Sequence, residues 1–237
     1  AFTAKPNGAE VALGRGLGDR VLITGLTRRE MRSEGLVYFN SAAVIDGVNS
    51  EARLSQIADK NHLVPFAEYM PWFIRMLNIP TLQRIGDFQA GPQPTRLVVP
   101  GAPTAVVLIC YEAIFPGMTP HGDGRPGWIV MVTNDAWFGG GSGPYQHYAM
   151  ARYRAIEEGL PVARAASGGI SAIVDAYGQQ VSATSARVAY AEAQLPPALA
   201  ETPYARWGSI VLLALFVFIA ALRFIPAGQR GPGGSRR

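Results

Sequence analysis

The sequence predicts an α/β fold followed by a single membrane-spanning helix near the C-terminus. Many short runs are almost entirely apolar and end at Gly or Pro, a pattern typical of strands buried on both faces. Residues 145–158 contain neither Gly nor Pro and predict a helix between two such runs, as in a sheet covered by helices. A run of sixteen uncharged residues between Arg206 and Arg223 predicts the membrane helix.

The elements of the predicted domain follow one another along the chain. A helix around Glu10 directly precedes the first strand, and the apolar, aromatic segment 71–87 is a long excursion from the core. Residues 100–103, Pro-Gly-Ala-Pro, predict a hairpin-like turn between the third and fourth strands. The predicted strands are 21–26, 38–45, 96–99, 105–110, 129–133, 161–165, 170–174 and 179–182.

Charge and composition exclude several classes of protein. The chain has 237 residues, of which 49% are hydrophobic and 16% charged, so it can bury a core and is not a disordered tail. Its net charge of +4 comes from four arginines, beginning at Arg223, because residues 1–222 carry 17 basic and 17 acidic side chains. A neutral body without a basic stripe argues against nucleic acid as a partner. The single cysteine excludes a disulfide framework and a multi-cysteine metal site.

The uncharged run 207–222 would extend ~24 Å as a helix, at roughly 1.5 Å per residue, against a bilayer core of about 30 Å. Phe224 and Ile225 lengthen it if the Arg223 side chain reaches back to the interface. The alternative is that the run forms a buried core helix.

Three regions are therefore expected: a folded domain over 1–203, a transmembrane helix over 204–225 and a basic tail over 226–237. By the positive-inside rule the tail is cytoplasmic. The domain is then periplasmic, at the inner membrane of a bacterium.

The residues that could perform chemistry lie close to the predicted strands. Cys110 ends the run Val-Val-Leu-Ile-Cys and precedes a short helix, so its thiol would lie at a sheet edge near backbone N–H groups that can stabilise an oxyanion. Lys60 and Glu68 lie in a segment too rich in Pro and aromatic residues for a helix or regular strand. Trp137 and Phe138 follow the next strand, at an edge where substrate-binding groups gather. Taken singly, Cys110 could equally be a buried structural cysteine and Lys60 a surface charge.

Four motifs occur in a fixed order: Lys-Asn-His-Leu-Val-Pro-Phe-Ala-Glu-Tyr at 60–69, Cys-Tyr-Glu at 110–112, Thr-Asn-Asp-Ala-Trp-Phe-Gly at 133–139, and the segment from Gln146-His147 to Arg154. Together they resemble the carbon–nitrogen hydrolase (nitrilase) superfamily. They are more closely similar to its membrane branch, the apolipoprotein N-acyltransferases. The resemblance extends from about Val21 through the apolar run and the basic tail.

The resemblance implies a nitrilase-like four-layer αββα sandwich, incomplete at its N-terminus, with a Glu–Lys–Cys triad in a catalytic domain. It makes Cys110 the nucleophile, Lys60 the triad lysine and Glu68 a second, supporting carboxylate. Tyr111 and Glu112 follow the nucleophile as they do in the family. An ammonium beside a thiol favours the thiolate and can hold an oxyanion, with the Tyr111 backbone N–H as a second donor.

The general-base glutamate of the family is expected upstream of the stretch that matches 21–25. Glu10 is the only acidic residue near enough to consider, but it belongs to the helix directly before that strand. We therefore do not assign the base to Glu10. The family also carries membrane helices before its catalytic domain, which this sequence does not include. We expect the chain to be the C-terminal portion of a longer protein and to be inactive alone.

The implied reaction is a two-step acyl transfer that needs no cofactor or metal. An acyl chain passes from a phospholipid, through a Cys110 thioester, to the α-amine of the diacylglyceryl-cysteine of an apolipoprotein. Both substrates lie in the membrane, so the 69–77 segment with Trp72 is expected to be an apolar arm or lid, with Trp137 and Phe138 at the same entrance. The alternatives are a membrane-tethered nitrilase-like amidase and a non-catalytic membrane-anchored binding domain.

Overall fold

In the computed structural model of the protein, residues 8–33, 35–48, 51–76, 88–92, 96–184 and 189–223 are described. The helices of this part of the chain are α1 (Gly8–Leu17), α2 (Trp72–Arg75), α3 (Gly143–Glu158), α4 (Pro203–Trp207) and α5 (Ile210–Leu222). Its strands are β1 (Val21–Arg32), β2 (Gly35–Val48), β3 (Glu51–Asp59), β4 (Arg96–Leu97), β5 (Ala105–Ile109), β6 (Trp128–Asn134), β7 (Val162–Ser167), β8 (Ala172–Val174) and β9 (Gln180–Ala183). Short 3-10 helices cover Cys110–Ile114, Gly122–Gly124 and Asp135–Phe138.

The first three strands form a small antiparallel sheet in the order β1-β2-β3. Successive side chains of β2 point to opposite faces, so Ala42 is buried on one side and Ala43 and Ile45 on the other. Helix α1 covers the second face, where Leu13 and Leu17 pack against the same apolar cluster.

Helix α1 approaches β3 closely at Gly14. A Cβ atom at this position would lie 2.3 Å from the backbone carbonyl carbon of Glu51, so a side chain there would force the two backbones apart. Gly16, on the exposed side of the same helix, has no atom within 4 Å of its Cβ position. The packing of α1 on the small sheet therefore depends on the absence of a side chain at residue 14.

The remaining strands form a large mixed sheet in the order β4-β5-β6-β7-β8-β9. Its three central strands, β5, β6 and β7, run parallel, and the outer strands pair antiparallel to their neighbours. The carboxyl ends of parallel strands meet at one edge of a sheet. The segments that begin at Cys110 and Asp135, after β5 and β6, therefore emerge side by side.

The two sheets pack face to face. Val44 and Ala58 of the small sheet share a buried cluster with Val107, Ile109 and Val132 of the large sheet. These aliphatic side chains interdigitate away from water, and such burial contributes about 25 cal/mol for each Å² of apolar surface removed.

Helix α3 covers the opposite face of the large sheet. Leu108 and Met131 point to this face and pack in one cluster with Ala151 and Ala155 of the helix. The small Ala side chains let the helix lie close to the strands. The layers are thus α1, the small sheet, the large sheet and α3, which is the αββα order that the resemblance implies.

Most of the predicted elements are confirmed. The hairpin at 100–103 joins β4 to β5, and the predicted helix over 145–158 forms, beginning at Gly143. The sequence did not predict β3. Its buried residues, Ala52 and Ala58, are separated by partly or fully exposed ones that include Arg53, so the strand lacks an apolar run.

Over the predicted transmembrane range 204–225, the described residues form two helices rather than one. Helix α4 ends at Trp207, Gly208 turns the chain with φ 54° and ψ −142°, and α5 begins at Ile210. With 13 residues, α5 is about 20 Å long at roughly 1.5 Å per residue. In the part of the chain that the structure describes, no helix is both long and apolar enough to cross a membrane.

The alternative of a buried core helix does not agree with the structure, because the α5 side chains from Leu212 to Leu222 are exposed. Two other predictions fall largely outside the described residues. They are the basic tail over 226–237 and most of the 71–87 excursion, of which only residues 71–76, with helix α2, are described.

Candidate active site

Cys110 lies at the sharp turn after β5. The strand is buried along its whole length, and the chain enters a 3-10 helix at Cys110 itself. The φ angle of Cys110 is 52°, in the left-handed region that residues other than glycine rarely adopt. Backbone strain of this kind clusters at functional sites, and a strained strand-to-helix turn is one way of presenting a nucleophile. The thiol is free and the residue is partly exposed.

Lys60 follows β3 and is almost fully buried, with 1% of its surface exposed. Its Nζ donates hydrogen bonds of 2.9 and 2.7 Å to the two carboxylate oxygens of Glu68. Glu68 also accepts hydrogen bonds from Asn40 Nδ2 and from the backbone N–H of Val64, both at 2.7 Å. A buried ammonium needs such a partner, because an unpaired charge in the interior is very costly.

Glu112 joins the segment that carries Lys60 to the turn that carries Cys110. Its Oε1 accepts hydrogen bonds from the backbone N–H groups of Asn61 at 2.7 Å and His62 at 3.1 Å. Its Oε2 accepts the backbone N–H of Ile109 at 2.7 Å. Since Asn61 follows Lys60 and Ile109 precedes Cys110, one buried carboxylate holds the two segments together.

A second group of charged side chains lies on the other side of the Cys110 turn. His147, near the start of α3, places Nδ1 2.8 Å from Asp135 Oδ1 and Nε2 3.1 Å from the carbonyl oxygen of Cys110. Asp135 Oδ2 accepts a 2.5 Å hydrogen bond from Arg164 Nη2 on β7. The hydroxyl of Thr133 donates to Asp135 Oδ1 at 3.0 Å.

Burial and charge act in opposite directions on this group. Burial alone would raise the pKa of Asp135, but the hydrogen bond from His147 and the charge of Arg164 hold that pKa below its ordinary value. Burial lowers the pKa of Arg164, and the attraction of Asp135 opposes this shift. Asp135 is therefore a carboxylate, and Arg164 and Asp135 form a buried ion pair.

The aromatic residues after β6 are exposed next to this group. Trp137 is 85% exposed, and Phe138 is about half-exposed, with its ring centroid 5.6 Å from that of His147. Tyr111 packs edge-on against Phe115, with ring centroids 5.0 Å apart, and Phe115 in turn contacts His62.

An open apolar groove of about 650 Å³ lies along residues 65–73. Trp72, 74% exposed, and Phe73 contribute to it with rings in an edge-to-face arrangement 6.0 Å apart. Glu68, the partner of Lys60, lies within this same stretch of chain. Among the described residues, Trp137 and Phe138 do not line the groove.

Glu112 ties the segment that begins with Lys60 to the turn that carries Cys110 and Tyr111, and Lys60 in turn binds Glu68. Trp72 lines the groove along residues 65–73. The sequence did not single out Asp135 or Arg164. The available signal was the position of Asp135, which directly follows β6, the parallel neighbour of the strand that precedes Cys110.

Comparison with known proteins identifies the family. The carbon–nitrogen hydrolase family profile matches residues 19–203. A protein named apolipoprotein N-acyltransferase from Bradyrhizobium diazoefficiens is 45% identical over 213 residues, which is 86% of this chain and 39% of that protein. A protein of the same name from Rhodopseudomonas palustris is 40% identical over 216 residues, 88% of this chain and 40% of that protein. The chain thus spans about two fifths of the length of these relatives.

Similar folds occur among solved structures, and one of them is an amidase from Nesterenkonia sp. AN1 in which acrylamide has added to the active-site cysteine. It covers 87% of this chain and 73% of its own, with a TM-score of 0.51 and 19% identity, a similarity that concerns the fold alone. With the αββα layers, the strained cysteine turn and the family match in agreement, the chain belongs to the carbon–nitrogen hydrolase family.

Proposed function

We propose that the protein transfers an acyl chain from a phospholipid, through a thioester on Cys110, to the α-amine of the N-terminal diacylglyceryl-cysteine of an apolipoprotein. The names of the relatives support this assignment. The observation that carries it is the open, mainly apolar groove along residues 65–73, the stretch of chain that also contains Glu68, the ion-pair partner of Lys60.

In the first step, the Cys110 thiolate attacks the carbonyl carbon of the phospholipid ester and a C–S bond forms. The carbonyl oxygen becomes an oxyanion, which the Lys60 ammonium and the Tyr111 backbone N–H stabilise. Collapse of this intermediate breaks the ester C–O bond. The lysophospholipid leaves with the proton that the general base took from the thiol, and the acyl chain remains as a thioester.

In the second step, the α-amine of the apolipoprotein attacks the thioester carbon. The general base accepts a proton from the amine, the C–S bond breaks, and the amide product leaves with Cys110 restored. No residue of this chain is assigned as that base. Glu68 is fully occupied by hydrogen bonds from Lys60, Asn40 and Val64, which suits a carboxylate that orients the lysine.

The same proposal gives the exposed apolar surfaces a role. Trp72 and Phe73 form the arm that admits acyl chains from the bilayer. Helix α5, with Phe216 72% exposed, lies in the membrane. The domain over 1–203 is then periplasmic and the basic tail over 226–237 cytoplasmic, at the inner membrane of a bacterium.

The direct test uses the full-length protein in detergent micelles with a phospholipid radiolabelled in its acyl chain. We expect the label to attach to the protein, to be released by neutral hydroxylamine, and to be absent in Cys110→Ala. Addition of a synthetic diacylglyceryl-cysteine peptide should move the label to the peptide as a hydroxylamine-stable amide.

Two other results would refute the proposal. Release of ammonia from small amides, with no acyl label on Cys110, would indicate an amidase. A thiol that reacts with iodoacetamide no faster than free cysteine, with neither activity, would indicate a binding domain.

The acyl groove is tested with Trp72→Ser, because a side chain this exposed contributes little to stability. The rate of thioester formation should fall roughly tenfold with a long-chain phospholipid, since about 1.4 kcal/mol of apolar contact is lost, and remain unchanged with a short soluble ester. Tyr190→Ser removes a similarly exposed aromatic residue away from the groove and is the matched control. Equal effects with both esters would argue against the groove.

Membrane orientation is tested in a Cys110→Ala background, which leaves this chain without cysteine. A membrane-impermeant maleimide added to spheroplasts should label Tyr190→Cys directly. It should label Gln229→Cys only after the membrane is permeabilised. The reverse pattern would contradict the proposed orientation.

A further inference from the structure

Each ring nitrogen of His147 faces a hydrogen-bond acceptor. Nδ1 lies 2.8 Å from Asp135 Oδ1, and Nε2 lies 3.1 Å from the backbone carbonyl oxygen of Cys110. A carbonyl oxygen cannot donate, and Asp135 is a carboxylate because its pKa is held low despite its burial. Both hydrogen bonds can form only if His147 carries a proton on Nδ1 and another on Nε2.

The neutral alternatives each leave a repulsive contact in the interior. A ring protonated only at Nε2 could accept from Arg164 Nη2 at 3.4 Å, but its Nδ1 lone pair would then face the Asp135 oxygen at 2.8 Å. A ring protonated only at Nδ1 would turn a lone pair toward the Cys110 carbonyl. His147 is 5% exposed, so water cannot readily relieve either contact.

The charges around the ring are compatible with an imidazolium. The groups in contact with it are Asp135 from the turn after β6, Arg164 from β7, the Cys110 backbone carbonyl from the turn after β5, and the Phe138 ring. The side chains of Asp135 and Arg164 are both fully buried. Asp135 contacts both cations, one through each oxygen, so a single carboxylate bridges them.

The carbonyl that His147 holds belongs to the peptide that joins Cys110 to Tyr111. The C=O and N–H of one planar trans peptide point in opposite directions. Fixing the Cys110 oxygen at His147 therefore fixes the direction of the Tyr111 N–H. A charged donor on the oxygen also polarises the amide, which strengthens its N–H as a donor.

Building on the proposed acyl transfer, we infer that His147 is a positioning residue that is protonated on both ring nitrogens and that orients the Tyr111 N–H toward the oxyanion. Asp135 and Arg164 hold the ring in place. The strained φ of 52° at Cys110 is part of the same arrangement, because rotation of this peptide would break the His147 contact.

Ring protonation is measured by NMR on full-length protein labelled with ¹⁵N-histidine in micelles. One-bond nitrogen–proton couplings report which ring nitrogens carry a proton, and the His147 signals are those lost in His147→Gln. We expect protons on both nitrogens at pH 7.5. A single ring proton would overturn the inference, whether or not the protein transfers acyl chains.

The positioning role is measured by thioester formation. His147→Leu removes both hydrogen bonds and should lower kcat roughly 100-fold, the typical effect of losing an oxyanion donor, with KM for phospholipid unchanged. His147→Gln can still donate from Nε2 to the Cys110 carbonyl and should lose only about tenfold. Alkylation of Cys110 by iodoacetamide passes through no oxyanion, so its rate should change far less than acylation.

A kcat in His147→Leu equal to that of the wild-type protein would overturn the inference. Equal losses in the rates of acylation and alkylation would also overturn it, because they would show that His147 affects the reactivity of the thiolate rather than the oxyanion. If His147→Leu fails to fold, as judged by thermal unfolding, the His147→Gln comparison decides. If the wild-type protein transfers no acyl chain, the proposed function fails, and the role given to the Tyr111 N–H fails with it. The NMR measurement still tests, independently of any acyl transfer, whether both ring nitrogens of His147 carry a proton.

Discussion

The Glu112 carboxylate accepts a 2.7 Å hydrogen bond from the backbone N–H of Asn61, 51 residues away in the sequence. The same side chain holds Ile109, so the segment with Lys60 and the turn with Cys110 are fastened to a common point. The relative position of the lysine and the cysteine is therefore maintained by a third residue, Glu112, which is only 3% exposed.

Glu112→Ala should destabilise the fold by about 3 kcal/mol, because three backbone N–H groups, one buried and two partly buried, lose their acceptor. Glu112→Gln keeps one oxygen and should have a smaller effect. Urea unfolding measures both free energies. If Glu112→Ala had the same free energy of unfolding as the wild-type protein, the carboxylate would not be holding the two segments together.

Replacing either partner of the Lys60–Glu68 ion pair should lower the free energy of unfolding. Lys60→Met leaves the carboxylate of Glu68 without its charged partner, and Glu68→Gln leaves the fully buried Lys60 ammonium in the same state. Each variant should lose about 3 kcal/mol of unfolding free energy, and the double variant should lose clearly less than the two together.

The control for this cycle is Arg32→Met, which removes an exposed ion pair with Glu30. Its stability should remain close to that of the wild-type protein, because exposed ion pairs contribute little. Strict additivity of the Lys60 and Glu68 effects would mean that the two side chains do not interact energetically.

Two glycines of α1 make a matched pair. Gly16→Ala should raise the unfolding free energy by about 0.5–1 kcal/mol, since alanine is the better helix former and its position is open. Gly14→Ala should lower it, because the new Cβ would lie 2.3 Å from the Glu51 backbone. Thermal unfolding of the two variants tests whether α1 is the outer layer of the sandwich. If both substitutions raised the free energy of unfolding, α1 would not pack closely on the small sheet at Gly14.

Glu158, the last residue of α3, predicts a pH dependence of stability. Burial, together with the neighbouring Glu157, raises its pKa from 4.5 to about 7. The folded state therefore holds a proton that the unfolded state releases between these values, so this group lowers stability as the pH rises from 4.5 to about 7. Glu158→Gln should be more stable than the wild-type protein at pH 8, by up to about 3 kcal/mol, and similar to it near pH 4.5.

The comparison should be made on the difference between the two proteins at each pH, because other groups titrate in the same range. Glu192→Gln, at an exposed position, is the control and should show no such pH-dependent difference. A Glu158→Gln effect that is constant with pH would show that this carboxyl group does not change its proton affinity on folding.

The parts of the fold that could be predicted are those whose signal is local. The strands β5 and β6 are continuous apolar runs, and α3 is a long segment without Gly or Pro, except Gly143 and Pro144 at its start. Strand β3 escaped prediction because half of its side chains face water. The break between α4 and α5 escaped it because Gly208 gives no sign, within an uncharged run, that it will turn the chain.

The candidate site likewise has one part that local sequence predicts and another that it does not. The residues near Cys110 belong to contiguous motifs, but the contacts of His147 with Asp135 and of Asp135 with Arg164 span 12 and 29 residues. They exist only because β6 and β7 pair in parallel beneath α3. A single sequence carries no record of that pairing beyond the apolarity of each strand.

At Cys110, the left-handed backbone conformation lowers the stability of the fold, while the proposed reaction requires the cysteine side chain. An L-residue in this conformation carries a cost on the order of 1–2 kcal/mol, which glycine would avoid. The substitution best suited to the backbone is thus the one that removes the sulfur. Selection for a more stable chain and selection for the proposed reaction act in opposite directions here, so relaxed selection on activity would favour loss of the cysteine.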